Sequence, residues 1–156
     1  MRRRLPVSVL LATLAVAAIL AATEGAAAAP RTAAKSGAAT VSIRKTKLGR
    51  VLVARSGRTL YLFMKDKGGK SACAGACAKA WPPLLTKGKP KAGKGVKAKL
   101  LGTTVRKSGT QVTYAGHPLY MYAGDKKAGQ TNGEGSTAFG AAWYVLAPNG
   151  HRIDKS

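Results

Sequence analysis

Acidic side chains are scarce in this sequence. Five Asp and Glu stand against 27 Lys and Arg in 156 residues, and only two His are present. Hydrolysis or group transfer needs a base, an orienting group and a stabilised site, and so few scattered groups argue against an enzyme. Cysteine is limited to Cys73 and Cys77. Zinc-finger spacing is missing, as are an aromatic ribonucleoprotein motif and a helix-turn-helix pattern, so no nucleic-acid module is expected. Ala78, not His, follows Cys77, which excludes covalent haem attachment, and three residues rather than two separate the cysteines, unlike a thioredoxin motif. The two His, His117 and His151, fall near predicted turns with no arrangement suggesting a triad. No metal site and no cofactor are expected.

The N-terminus has the order of a secretory signal: basic Met1-Arg2-Arg3-Arg4, an apolar run from Leu5 to Ala22, and small residues at Ala26–Ala29 before Pro30. Residues 1–29 are read as that signal, and residues 30–39, rich in Ala, Thr, Ser, Gly and Lys, as a flexible leader. No Cys follows the apolar run, so lipid attachment at a mature N-terminal Cys is not expected. The expected location is secreted, periplasmic or at the cell envelope. Cleavage would remove Arg2, Arg3, Arg4 and Glu24, lowering the net charge only from +22 to +20.

What remains, from residue 40 to 156, reads as a single β domain written twice, over about 41–86 and 102–147. Gly57–Asp66 is GRTLYLFMKD, and Gly116–Asp125 is GHPLYMYAGD. Leu60, Leu62 and Met64 alternate with Tyr61 and Phe63, and Leu119 and Met121 alternate with Tyr120 and Tyr122. A period of two over aliphatic and aromatic residues predicts a strand packed on both faces. Val51–Val53 leads through Ser56-Gly57 into the first copy and Val112–Tyr114 leads through Ala115-Gly116 into the second, each a candidate hairpin. Val41–Lys45 and Thr103–Arg106 supply a third strand to each unit, and Ala142–Ala147 and His151–Ile153 close the chain. Three short strands bury too little apolar surface alone, so the duplicated unit predicts an all-β barrel or sandwich of eight strands. After each central strand come an Asp, a Gly/Lys-rich loop and a Trp: Asp66 and Trp81, then Asp125 and Trp143. The Asp residues are expected to bond backbone N–H groups two or three positions on, and each Trp to anchor the core of its own half.

The spacing Tyr61-x4-Asp66 and Tyr120-x4-Asp125, an aromatic (Phe63, Tyr122) two after each Tyr, and Cys73-x3-Cys77 before Trp81-Pro82-Pro83 resemble a bacterial secreted-repeat family of unknown function, also described as predicted lipoproteins. The likeness covers about residues 47–150. It implies export, envelope association and tandem repeats, without an activity.

An even cysteine count in an exported chain predicts a Cys73–Cys77 disulfide, in a loop centred on Gly75 or a helical turn. The charge excess predicts attraction to polyanions, and the candidate contacts are Lys65, Lys67 and Lys70 with Lys87, Lys89, Lys91 and Lys94, several charges within one Debye length. Expected partners are anionic envelope polymers, an anionic lipid surface or an acidic protein, met by a monomer. The resulting expectation is an exported, non-catalytic binding or structural protein. The alternative is envelope redox or copper handling by the Cys pair, with Met64, Met121 or His117 as further ligands.

Overall fold

The computed structural model describes residues 37–155; the signal segment and residues 30–36 of the leader lie outside them. The chain is nearly all β. Strands β1 (Thr40–Thr46) and β2 (Gly49–Ala54) form an antiparallel hairpin with Val41 opposite Ala54. Strands β5 (Leu101–Arg106) and β6 (Gly109–Tyr114) repeat it, with Leu101 opposite Tyr114. The short β4 (Lys91–Ala92) pairs parallel with β1, and β7 (His117–Pro118) pairs with β6. A third sheet joins β3 (Tyr61–Phe63), β8 (Trp143–Leu146) and β9 (Arg152–Ile153). Among the described residues the strands make three three-stranded sheets, not a closed barrel, and the one α-helix, α1, spans Ala76–Ala80.

The β6–β7 connection shows how turn chemistry sets this geometry. Tyr114 and His117 face each other, and the two residues between them, Ala115 (φ 49°) and Gly116 (φ 81°), both lie in the left-handed region. That backbone matches strand twist in two-residue hairpins, and glycine adopts it without steric cost.

The repeats do not close upon themselves. The first repeat's β3 pairs with the second repeat's β8, Tyr61 opposite Val145 and Phe63 opposite Trp143. Conversely, the first repeat's segment after Trp81 lies on the second: Leu84 N donates to Leu119 O, and Val112 N donates to Leu84 O, each at 2.9 Å. At the centre Tyr61 and Tyr120 exchange backbone bonds, N to O, at 2.8 and 3.0 Å. Each repeat therefore completes its sheet with a segment of the other.

The predicted strand Leu119–Tyr122 is not a regular strand; it makes isolated bridges from Tyr120 to Tyr61 and to Pro83. Its partner segment begins Pro82-Pro83, and proline has no N–H to give a ladder. At the corresponding place the second repeat has Tyr144-Val145, and with Tyr144, which keeps its N–H, opposite Leu62, β8 pairs regularly with β3. Strand β4 escaped the pattern because Lys91-Ala92 has no alternation; it is held by Lys91 N to Ala39 O and Gly93 N to Val41 O, at 2.8 and 2.7 Å.

Two-faced packing accounts for the alternation. Leu60, Leu62 and Leu119 join one buried cluster with Val41, Leu52, Val112 and Leu146. Tyr61, Phe63 and Tyr120 join a second with both Trp and both Cys. Met64 departs from the expected aliphatic face: it lies past the end of β3 and is 44% exposed, with Arg152 Nη1 3.7 Å from its sulfur.

Candidate functional site

The motif residues meet across the repeats. Tyr61 does not reach the Asp of its own motif; its hydroxyl donates to Asp125 Oδ2 at 2.6 Å. Tyr120 answers by donating to Asp66 Oδ2 at 2.7 Å. The other carboxylate oxygen of each Asp closes its loop, Asp66 Oδ1 accepting from Ala72 N at 2.7 Å and Asp125 Oδ1 from Asn132 N at 3.0 Å. These contacts fall six and seven residues on, not the two or three expected of local turn chemistry, because each Asp holds a whole loop. Burial is the main reason both phenols are raised well above the ordinary tyrosine range, with the bonded carboxylate adding to it. Burial also raises Asp66 above the usual carboxylate range, opposed by the Ala72 N–H.

The aromatic residues extend the exchange. Phe63 stacks on Trp143 at 4.0 Å, Trp143 on Trp81 at 3.9 Å, and Tyr122 covers the far face of this row against Trp81 at 4.4 Å. Tyr61 meets Trp81 edge-on at 5.3 Å, and Tyr120 meets Trp143 edge-on at 5.2 Å. Each tryptophan was expected to anchor its own half; instead the two stack on each other, fully buried, and join the halves. Edge-to-face and offset pairs contribute about 0.5–1.5 kcal/mol each beyond burial. Gly133 lets the second loop run over this cluster: a Cβ there would sit 2.6 Å from the Trp81 ring, and its N–H donates to the Tyr61 hydroxyl at 3.3 Å.

The first loop carries a second network. The Tyr120 hydroxyl also shares a 2.7 Å hydrogen bond with Ser71 Oγ. Arg106 Nη1 donates to Ser71 Oγ at 3.2 Å and to Gln111 Oε1 at 2.9 Å, and Nη2 donates to Cys73 O at 2.6 Å. Cys73 and Cys77 are bridged and buried, 1% and 7% exposed. Gly75, at φ 55°, precedes α1, so the bridge joins a glycine-turned loop to the first turn of a short helix. A loop this short contributes about 2 kcal/mol by restricting the unfolded chain.

Sequence reasoning missed Arg106, Ser71, Gln111 and Glu134. Gln111 had a readable signal: it occupies the register position of Val51, a polar residue where the other repeat has an apolar one, and it is fully buried. Arg106, Ser71 and Glu134 gave none, since each finds its partners far along the chain or across a loop. Glu134 Oε2 accepts from Val145 N at 2.6 Å, while Oε1 is buried without a partner, and burial raises the group above the usual carboxylate range.

The lysines named from sequence stay outside this core. Lys65, Lys67, Lys70, Lys87, Lys89, Lys91 and Lys94 are all exposed, the first three on the loop after β3 and the others on the connection between repeats. The carboxylates turn the other way. Of the four beyond residue 29, Asp66, Asp125 and Glu134 accept internal hydrogen bonds, and Asp154 makes an ion pair with Arg152 at 3.5 Å.

A family model described as a secreted repeat of unknown function matches residues 42–85 and again residues 102–147. No curated protein and no solved structure matches the chain. The chain belongs to that secreted-repeat family, and each match spans one of the two strand-exchanging units.

Proposed function

We propose that this member of the secreted-repeat family is an exported, non-catalytic cell-envelope module that binds anionic polymers through its Lys and Arg surface. One observation carries the reading: the carboxylates Asp66, Asp125 and Glu134 are spent on internal hydrogen bonds, so the exposed cations have almost no acidic neighbours to neutralise them. An uncompensated surface of one sign attracts the other and raises encounter rates. The family description supports the exported part. The motif Tyr and Asp residues support a structural role, because they are turned into the core and bonded to each other. The buried Cys73–Cys77 bridge likewise supports a staple rather than a redox centre.

The test is binding of the chain from residue 30 onward to a linear polyphosphate across a salt series. Affinity is expected to fall roughly tenfold or more between about 50 and about 200 mM salt, as ions released from the polymer are returned to it. No binding at low salt, or affinity indifferent to salt, would overturn the reading.

A further inference from the structure

The cations are spread widely, and three of them border one hollow. Between the disulfide loop and the β5–β6 hairpin lies a groove of about 710 Å³, within the range of small-ligand sites. Lys70 lines it from the loop, and Arg106 and Lys107 line it from the hairpin. Lys70 comes from a different element than the consecutive Arg106 and Lys107, so the three cations border a common space.

Arg106 is the fixed member. Its bonds to Ser71 Oγ, Gln111 Oε1 and Cys73 O use three of its five N–H groups and hold the guanidinium in one orientation. All three acceptors are neutral, so its charge is not cancelled by them. The nearby carboxylate Asp66 spends its two oxygens on Ala72 N and the Tyr120 hydroxyl, so it offsets the Arg106 charge only through space, while the Lys70 and Lys107 charges beside it remain. A held guanidinium flanked by two mobile ammonium groups suits an oxyanion with several acceptor oxygens.

The groove is not uniformly polar. Val105, 86% exposed, and Ala78 line it, which gives the groove an apolar side beside its cations. Cations interleaved with apolar surface match a chain in which charged groups alternate with carbon. We propose that this groove binds a segment of a phosphodiester-linked polyol or sugar chain, with phosphate against Arg106, Lys70 and Lys107 and the carbon unit against Val105 and Ala78. The recessed shape favours a threaded polymer over a flat lipid surface. This rests on the polyanion reading above and localises it.

The closing experiment compares two double variants with equal charge loss, Lys70→Ala/Lys107→Ala in the groove and Lys89→Ala/Lys91→Ala on the connection between repeats, all four being exposed. Each is titrated with a linear glycerol-phosphate polymer and with anionic phospholipid vesicles. The groove pair is expected to weaken polymer binding about tenfold, and the connection pair less than about threefold. Val105→Ser should weaken binding of the glycerol-phosphate polymer while leaving inorganic polyphosphate, which has no carbon unit, unchanged. Equal losses from the two pairs would overturn the groove and leave the polyanion reading standing; so would preferred binding to vesicles. Failure of the unaltered chain to bind either polymer at low salt would overturn both.

Discussion

The loop after Asp66 and the loop after Asp125 start and end alike and are built differently between. Each leaves an Asp that bonds a Tyr of the other repeat, and each arrives at a Trp of the shared stack. The first spends fourteen residues, from Lys67 to Ala80, on the Cys73–Cys77 bridge and α1. The second spends seventeen, from Lys126 to Ala142, and has no bridge. Its support is polar: Gln130 Oε1 accepts from Lys126 N and Lys127 N at 2.6 and 2.7 Å, Gln130 O accepts from Thr59 Oγ1 at 2.6 Å, and Glu134 bonds Val145 N. The space beside it is filled as well, with the Arg44 side chain so close over Gly129 that a Cβ there would lie 2.8 Å from Arg44 Cδ. The ends of the two loops are constrained by the common core, whereas their middles are free to diverge. One has become a stapled wall beside a cationic groove; the other is braced by side-chain hydrogen bonds and by Arg44 lying against Gly129.

The largest test of this comparison separates the halves. A chain of residues 37–100 and one of residues 101–155 should each fail to show a cooperative thermal transition by circular dichroism. Each would lose the segment that completes its sheet, β8 for the first and Pro82–Leu85 for the second. Mixed together they should recover the transition of the intact domain, and independent folding of either half would refute the exchange.

A smaller effect asks whether the two crossed Tyr–Asp bonds are equal. Tyr61→Phe removes a donor from Asp125, which is 3% exposed, while Tyr120→Phe removes one from the half-buried Asp66. Denaturant unfolding should show a loss of about 2–3 kcal/mol for Tyr61→Phe and about 1–2 kcal/mol for Tyr120→Phe, since an unsatisfied group costs more the less water reaches it. The reverse order would contradict the assignment of the more enclosed bond to Asp125.

The smallest effect lies in the second loop. Glu134 is raised in the folded state by burial, so the folded chain holds its proton more readily than the unfolded one. Stability from this group is then present at low pH and falls as pH rises through the window between the ordinary carboxylate value and the raised one. Asp66 acts in the same direction. In Glu134→Gln, whose amide oxygen can still accept from Val145 N, the decline in melting temperature between about pH 4 and about pH 7 should shrink. An unchanged decline would show that Glu134 does not carry it.

Much of the fold was legible because its signals are local. A period of two over GRTLYLFMKD and GHPLYMYAGD shows that each strand packs on two faces, and the structure places Leu60 and Tyr61 in different clusters. The pattern overreached at Met64, where β3 has already ended, and at Leu119–Tyr122, where a partner with two prolines reduces a ladder to bridges. The candidate site was less legible. The lysines could be named from sequence, since exposure is the ordinary state of lysine. Arg106 could not be singled out from the other cations, because what sets it apart is three acceptors supplied by Ser71, Cys73 and Gln111.

The sequence by itself determined the doubling, the two-faced strand, the close cysteine pair and the large positive charge, each a property of neighbouring residues or of composition. Only the tertiary structure decided that the motif Tyr bonds the other repeat's Asp, that the tryptophans stack across the halves, and that the repeats trade their last strands. An alternation states which faces are apolar and not which strand will cover them. That choice is made between distant segments, by which backbone N–H groups are free to pair and which rings can meet, and those quantities exist only once the chain is folded.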